Sequence, residues 1–341
     1  MFDLQQLVRK NILELKPYAS ARDEFSGKEG VFLDANENPF GSLNRYPDPY
    51  QQELKKKLSE IKSVAAENIF IGNGSDEIID LLFRIFCNPG KDKALTFSPS
   101  YGMYEVSAAI NDVNFIKLSL KPDFQIDFDS LKPHLSDPDL KLIFVCSPNN
   151  PTGNNLNNLT NILDNFNGIV VIDEAYADFS SKESFIPKIH QYPNLIVLQT
   201  LSKAWGLASL RIGVAYANTD MLALLNKVKP PYNISLINQQ VALESLSNQR
   251  AFIEQKIMIL AQRDWLMEQL STLPIISKIY PSDSNFLLVE TANADFIYQQ
   301  LLLKKVITRN RSREVANAIR ISIGTPEENR QLIAALKEIS L

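Results

Sequence analysis

Apolar runs alternate with helical patterns through the middle of this 341-residue chain. The apolar runs predict strands at 69–72, 93–97, 113–118, 141–146, 168–173, 194–200 and 211–216. Between most of them, the spacing of apolar residues predicts helices at 75–87, 102–111, 156–166 and 219–228. Strands that alternate with helices pair in parallel and are covered on both faces. We therefore predict an α/β fold with a mostly parallel, seven-stranded sheet between helices.

The two ends of the chain have a different pattern. One helix is predicted from Leu4 to Leu15 and another at 50–62. Beyond Pro231 the pattern predicts a long kinked helix at 236–270, strands at 275–280, 284–290 and 318–323, and helices at 294–304 and 326–339. We therefore predict a large domain at 41–232 and a smaller α+β domain that both chain ends form, at 1–40 and 233–341.

Composition and charge narrow the classes of partner. The net charge of −4 and the sequence pI near 5.5 argue against nucleic acid or an anionic membrane as the main partner. Charged residues interrupt the first 21 positions, so no signal peptide is expected, and no apolar stretch reaches the length of a membrane span. Two cysteines fit a reducing cytoplasm, and the presence of only two histidines argues against a histidine-built metal site, so no metal is expected.

A lysine follows the predicted strand at 194–200. Lys203 lies just beyond this apolar run, between the hydroxyls of Thr200 and Ser202 and the guanidinium of Arg211. A lysine in a low-dielectric pocket loses its proton more easily and becomes a nucleophile toward carbonyls. The hydroxyls and the guanidinium suit a phosphate, and the combination suggests pyridoxal phosphate, whose aldehyde forms a Schiff base with lysine. The alternative is an ordinary surface loop.

Polar residues also follow other predicted strands, and ligands bind at the carboxyl ends of such strands. Gly74 and Ser75 open a helix whose free amides can bind an anion. Asn150 can offer its amide to a ring oxygen, Asp173 can hold a pyridinium nitrogen protonated, and Tyr176 can reach the ring oxygen. The alternatives are a simple turn for the glycine and asparagine segments and a helix N-cap for Asp173.

Taken together, these segments resemble those of the pyridoxal-phosphate aminotransferases of fold type I, class I/II. The segments that carry this resemblance are Asn150-Pro151-Thr152-Gly153, Asp173-Glu174-Ala175-Tyr176 and the spaced Ser202-Lys203, Gly206 and Arg211. More narrowly, the chain resembles the histidinol-phosphate aminotransferase family. That resemblance rests on the segments 33–39, 45–49, 101–104, 231–235 and 319–325.

The resemblance implies roles for individual residues. Lys203 would be the Schiff-base lysine, Asp173 the partner of the ring nitrogen, and Tyr176 a contact of the ring oxygen. The remaining cofactor contacts would be Asn150 at the ring oxygen, Tyr101 stacked on the ring, and Gly74, Ser75, Asp76, Thr200, Ser202 and Arg211 around the phosphate. Tyr46 would reach the cofactor phosphate of the neighbouring subunit in a homodimer. Arg320, with Tyr18 and Arg309, would bind the anionic end of the substrate.

The implied reaction transfers an amino group between L-histidinol phosphate and 2-oxoglutarate, with L-glutamate as the product. One alternative is an aminotransferase for aromatic amino acids, which shares every cofactor motif. A second is a lyase of the threonine-phosphate decarboxylase type. A third, a regulator of this fold, usually carries a DNA-binding segment, for which the predicted elements leave no room. Trp205 and Ser209 depart from the family pattern, and Trp205 is expected to reshape the surroundings of the lysine.

Overall fold

The larger of two sheets organises the molecule. The computed structural model describes residues 2–18 and 30–339. Seven strands form this sheet, as predicted: β1 Ile69–Asn73, β2 Lys93–Ser98, β3 Asn114–Ser119, β4 Leu140–Cys146, β5 Ile169–Asp173, β6 Leu195–Thr200 and β7 Ile212–Tyr216. Alternate residues of one strand face opposite layers, so Ile69 and Ile71 join one hydrophobic core and Phe70 joins the other. This double burial explains why the strands are nearly continuous apolar runs.

The strand order in the larger sheet is β1-β7-β6-β5-β4-β2-β3. The five strands β2 to β6 pair in parallel, as the alternation with helices predicts. β7 instead runs antiparallel to both of its neighbours, β1 and β6. The connection from β6 to β7 contains only a short helical turn at Ala208–Leu210, and a chain without a crossover helix returns antiparallel. The sheet is therefore mostly parallel, with one antiparallel strand beside Lys203.

Helices cover both faces of this sheet. Their bounds up to β7 are α1 Leu4–Leu7, α2 Lys10–Glu14, α3 Gln52–Lys62, α4 Gly74–Phe86, α5 Met103–Ile110, α6 Phe128–Leu131 and α7 Thr160–Asn165. α8 spans Thr219–Val228 and α9 spans Leu236–Ser247. Residues of α4, α5 and α8 pack in one core, whereas residues of α3, α7 and α9 pack in the other.

A second, antiparallel sheet follows. Its strands are β8 Ile276–Ile279, β9 Phe286–Thr291, β10 Arg309–Asn310 and β11 Ala318–Ser322, in the order β10-β11-β9-β8. It packs with α10 Gln249–Ser271, α11 Ala294–Leu303 and α12 Pro326–Lys337 around a separate core. The predicted helix at 236–270 is two helices, because Asn248 leaves the helical conformation (φ −95°, ψ 62°) at the predicted kink.

Two predicted helices are shorter than expected. The segment at 4–15 forms α1 and α2, separated by extended backbone at Val8 and Arg9. The segment at 156–166 is helical only in α7, since Asn158 takes a left-handed conformation (φ 58°) just before it. Val8 and Ile12 pack in the core of the larger sheet, and the division of the chain at residues 41 and 233 stays a prediction. Within 2–18 and 30–339, no helix is both long enough and apolar enough to cross a membrane.

Candidate active site

The parallel strands β4, β5 and β6 end at the same edge of the larger sheet, and a cleft of about 450 Å³ opens there. Such an edge is where open α/β sheets bind ligands. The side chains that line the cleft are Ser75, Asp76, Tyr101, Cys146, Asp173, Ala175, Tyr176, Thr200, Ser202, Lys203 and Arg211. The structure therefore brings nine of the predicted cofactor-contacting residues together, although they come from five separate segments.

Asp173 is the last residue of β5 and only 2% exposed. Its Oδ2 accepts a hydrogen bond of 2.6 Å from the Tyr104 hydroxyl, and its Oδ1 accepts one of 3.0 Å from the Ala175 amide. Burial raises the pKa of this carboxyl, while the two hydrogen bonds and the charge of Lys203 oppose that rise. A buried carboxylate at the floor of a cleft can stabilise a cationic ligand group.

Lys203 lies in the turn after β6, at the mouth of the cleft. Its Nζ is 5.6 Å from the centre of the Tyr176 ring. Partial desolvation lowers the pKa of this amine, and the positive charges of Arg320 and Arg211 lower it further, against the opposing effect of Asp173. A larger share of Lys203 is therefore uncharged and nucleophilic at neutral pH than of an ordinary surface lysine.

The start of α4 and the start of β7 form one wall of the cleft. The Gly74 amide donates to the Arg211 carbonyl at 2.7 Å, and the Arg211 guanidinium pairs with Asp76 at 3.2 Å. Gly74 has φ +74°, and a Cβ at this position would lie 2.6 Å from Arg211 Nη2. A Cβ at Gly213 would lie 2.2 Å from the Ser75 amide nitrogen. Both glycines are needed for β7 and its arginine to approach the helix start.

This wall fits a phosphate group. The Ser202 Oγ is buried and, among the residues that the structure describes, has no hydrogen-bond partner. It lies with Ser75 and Arg211 in the lining of the cleft, where a hydroxyl, the first-turn amides of α4 and a guanidinium can share the oxygens of a phosphate. The Thr200 hydroxyl instead donates to the Ile212 carbonyl and accepts from the Ser202 amide, so it holds the turn.

The second sheet contributes a guanidinium beside the cleft. Arg320 of β11 donates from Nη1 to Asn150 Oδ1 at 2.5 Å, and its guanidinium carbon is 5.2 Å from the centre of the Phe286 ring. The same ring meets Tyr176 edge-on at 5.1 Å. Burial lowers the pKa of Arg320, and Arg311 and Arg309 lower it further. Arg309 is the cross-strand partner of Arg320, so two cationic residues are neighbours here and could bind an anion together.

Two other predicted residues lie outside the lining of the cleft. Tyr18 is 71% exposed and lines a separate depression with Pro49 and Tyr232. Tyr46 is half exposed and stacks on Tyr232 with ring centres 4.4 Å apart. Their predicted roles stay predictions. Trp205 stacks on Phe252 of α10 at 4.0 Å, within the core and not across the mouth of the cleft.

Sequence reasoning assigned no role to Tyr104 or Cys146. Tyr104 is fully buried in α5 and contacts Asp173 directly, and Cys146 is paired with Asp173 in the register of β4 and β5. The available signal was weak: a tyrosine three residues beyond Tyr101, and a cysteine at the end of a predicted strand. The sequence alone does not show that Cys146 lines the cleft or that Tyr104 contacts Asp173 behind it.

Comparisons with known proteins agree with this architecture. A model of the aminotransferase class I and II family matches residues 26–336. A histidinol-phosphate aminotransferase of Cytophaga hutchinsonii is 52% identical, covering 98% of this chain and 99% of that protein. One of Parabacteroides distasonis is 50% identical over all of both chains. The crystal structure of histidinol-phosphate aminotransferase from Sinorhizobium meliloti, solved with pyridoxal-5'-phosphate, has the same fold (TM-score 0.78, 23% identity, 86% of this chain and 82% of that one). The chain belongs to the class I and II aminotransferases and, within them, to the histidinol-phosphate aminotransferase family.

Proposed function

We propose that the protein uses pyridoxal phosphate to transfer an amino group between L-histidinol phosphate and 2-oxoglutarate, yielding imidazole acetol phosphate and L-glutamate in histidine biosynthesis. The observation that carries the proposal is the meeting of Lys203 and Asp173 in one cleft with Arg320 beside it: a nucleophilic amine, a buried acid and a guanidinium suited to an anion. The full-length similarity to named histidinol-phosphate aminotransferases supports the choice of substrate.

Pyridoxal phosphate supplies an aldehyde that accepts the substrate amine and a ring that takes up the electron pair released at the α-carbon. Asp173 would hold a proton at the ring nitrogen, because its buried carboxylate is stabilised by a cation beside it. The Nζ of Lys203, with its lowered pKa, would bind the cofactor and then take the α-proton of the substrate and return it as acid. Asp173 and Lys203 thus hold the two protons of the reaction.

Two tyrosines would orient the ring. Burial raises the pKa of Tyr176, so its hydroxyl stays protonated at neutral pH and can donate to the ring oxygen. Burial also raises the pKa of Tyr101, whose hydroxyl donates to Asp76 at 3.0 Å. That bond fixes the Tyr101 ring beside the cleft, in a position to stack on a flat ligand.

Arg320 would bind both substrates. A guanidinium fork accepts two oxygens of either a phosphate or a carboxylate, so one residue can serve histidinol phosphate and 2-oxoglutarate in turn. Arg309, opposite Arg320 in the sheet, would add charge for the more negative phosphate. Two substrates that alternate at one site predict ping-pong kinetics.

We further infer a homodimer with shared sites and a cytoplasmic location. Tyr46 lines a groove with Arg45, Asn73 and Ile237 and is not among the residues that line the Lys203 cleft of its own chain, which fits a contact with the site of a second copy. Both cysteines are buried free thiols, which fits a reducing compartment.

A half-reaction tests the function. The purified protein loaded with pyridoxal phosphate is mixed with histidinol phosphate, phenylalanine or threonine phosphate, without an acceptor, and the cofactor spectrum is followed in each case. We expect a fast change with histidinol phosphate that 2-oxoglutarate reverses. A faster change with phenylalanine would assign the protein to aromatic amino acids, and release of carbon dioxide from threonine phosphate would assign it to the lyases.

A further inference from the structure

The hydroxyl of Tyr104 makes a short contact with the carboxylate at the floor of the cleft. Its oxygen is 2.6 Å from Asp173 Oδ2, a distance typical of a hydroxyl that donates to an ionised carboxylate. Burial, reinforced by the charge of Asp173, raises the pKa of Tyr104 well above its ordinary value, so the hydroxyl keeps its proton. The contact joins α5 to the last residue of β5 inside the core.

Aromatic neighbours hold the Tyr104 ring in place. It stacks on Phe144 of β4 with centres 4.8 Å apart and planes 17° apart, and Phe144 in turn stacks on Phe83 of α4 at 5.3 Å. On its other side, the Tyr101 ring meets it edge-on at 5.5 Å. The ring is fully buried, so the direction of its hydroxyl is set by packing and not by the hydrogen bond alone.

Asp173 is thus held at both oxygens, by Tyr104 at Oδ2 and by the Ala175 amide at Oδ1. A hydrogen bond donated to a carboxylate stabilises its charged form and makes it a weaker base. If the carboxylate were the stronger base, a proton shared with a ring nitrogen would move to Asp173, and the ring would lose the positive charge that lets it take up electrons.

We propose that Tyr104 is a positioning residue for Asp173: its hydroxyl fixes the orientation of the carboxylate and keeps it the weaker base, so that the proton stays on the cofactor ring nitrogen. The inference rests on the proposed use of pyridoxal phosphate. Tyr104 acts through Asp173, with no contact to the substrate required.

Several other groups lie near Asp173, and their effects on its pKa have opposite signs. They are Asp76 of α4, Tyr101 before α5, Cys146 of β4, Tyr176 after β5 and Lys203 after β6. Asp76 raises the pKa of Asp173, whereas Lys203 lowers it. Because these groups are unchanged in a Tyr104→Phe variant, a difference between that variant and the unmodified protein reports the hydroxyl alone.

The test uses pyridoxal phosphate labelled with ¹⁵N at the ring nitrogen, whose chemical shift differs strongly between the protonated and the unprotonated ring. In the unmodified protein we expect the protonated position. In Tyr104→Phe we expect a displacement toward the unprotonated position. A hydrogen bond to a charged group contributes ~1.5–3 kcal/mol, so its loss should move the shared proton from the ring nitrogen toward Asp173 by a factor of about 10 to 100 in the equilibrium between the two sites.

The matched control is Tyr216→Phe. Tyr216 is also fully buried, lies on β7 of the same sheet, and its hydroxyl has no partner among the described residues. The change in composition is the same, but Asp173 keeps its hydrogen bond, so the ¹⁵N shift should match that of the unmodified protein. Thermal unfolding of both variants shows that the fold is retained.

The outcomes are separable. If the unmodified protein binds no pyridoxal phosphate, the proposed function fails. If it binds the cofactor with a protonated ring and Tyr104→Phe shows the same shift across the pH range, the inference alone is overturned. If Tyr104→Phe does not fold, Tyr104 is replaced by 3-fluorotyrosine, a stronger donor of nearly the same volume. A shift at least as far toward the protonated position as in the unmodified protein supports the inference, and one that moves toward the unprotonated position overturns it.

Discussion

At the scale of single residues, the site depends on how charges near Lys203 are arranged. Desolvation and the neighbouring guanidinium of Arg320 both destabilise the charged amine, so the pKa of Lys203 lies below that of a free lysine. The uncharged amine is the form that attacks the cofactor aldehyde, and it prevails above this pKa. Capture of the cofactor therefore slows as the pH falls through the pKa of Lys203.

Removal of the Arg320 charge should move the pH range over which cofactor capture slows to higher pH. In Arg320→Gln the repulsion that lowers the pKa of Lys203 is lost, so the amine stays charged to a higher pH. The measurement is the rate at which cofactor-free protein forms a borohydride-reducible link with pyridoxal phosphate, as a function of pH. Arg330→Gln, at a surface arginine paired with Glu327, is the control.

Lys203→Ala should form no such link at any pH. A reducible link in that variant would transfer the role to another lysine. An identical pH profile in Arg320→Gln and in the unmodified protein would show that desolvation alone sets the reactivity of Lys203.

The contact between Tyr104 and Asp173 is also a feature of single residues, and the sequence alone could not predict it. Lys203, Asp173 and Arg211 could be identified from the sequence. Each is a charged residue at the start or the end of an apolar strand, where its charge needs a partner. Tyr104 and Asp173 are 69 positions apart, and only the packing of α5 against the end of β5 brings them together. The periodicity of apolar residues along the chain carries no information on side-chain contacts between such distant segments.

At the scale of elements, the site depends on the approach of β7 to the start of α4. Gly213 has no room for a side chain, since a Cβ there would lie 2.2 Å from the Ser75 nitrogen and 2.3 Å from the Gly74 carbonyl carbon. Both atoms are backbone and cannot turn aside. The strand and the helix must separate if the glycine is replaced.

Gly213→Ala should therefore lower the free energy of unfolding by about 1–3 kcal/mol or more, the usual cost of overpacking, and weaken binding of pyridoxal phosphate. Gly102→Ala is the matched control, because a Cβ there would have none of the described atoms within 4 Å. Denaturant unfolding and titration with the cofactor measure both effects. Equal stability of the two variants would contradict the tight contact.

The elements also show where pattern reasoning works. All seven strands of the larger sheet were predicted: six of them are buried on both faces and are nearly unbroken apolar runs, and the partly exposed edge strand β3 still carries apolar residues at Phe115, Ile116 and Leu118. β10 was missed, since Arg309 and Asn310 are polar and pair with β11 only through their backbones. The antiparallel direction of β7 was also missed, because pairing direction depends on the connection and not on the apolar run itself.

At the scale of the whole molecule, the site joins two sheets. Lys203 and Asp173 belong to the larger sheet, whereas Arg309 and Arg320 belong to the smaller one. In the proposed function, the chemistry and the recognition of the anion are therefore assigned to different parts of the chain. Substitutions in the smaller sheet should change substrate preference without removing the cofactor.

Arg320→Ala should reduce kcat/KM for both half-reactions, since in the proposed function glutamate and histidinol phosphate share this guanidinium fork. Removal of one partner of such a pair costs ~2–5 kcal/mol. Arg309→Ala should reduce kcat/KM for histidinol phosphate more than for phenylalanine, which has no phosphate. Arg313→Ala is the control, because Arg313 is an exposed arginine in the connection between β10 and β11. Equal losses with both donors in Arg309→Ala would favour an aminotransferase for aromatic amino acids.

A shared site predicts complementation between subunits. Variants Tyr46→Ala and Lys203→Ala should each be inactive or nearly so, and mixing them should restore activity, because a hybrid dimer contains one site with both residues intact. Subunit exchange is verified by native mass spectrometry of differently tagged chains. Activity that stays at the level of the separate variants after verified exchange would contradict a contribution of Tyr46 to the partner.

The antiparallel pairing of β1 with β7 has a consequence for how the chain folds. Asn73, just before the start of α4, faces Ile212, and the five parallel strands lie between them in sequence. Contacts between distant segments close large loops, which is entropically costly and slow. The wall that suits a phosphate thus forms only when β1 and β7, the first and last strands of the larger sheet in chain order, pair with each other, and a nascent chain released before residue 216 would lack the strand that completes it. We therefore expect cofactor capture to be a late event, which follows completion of the larger sheet.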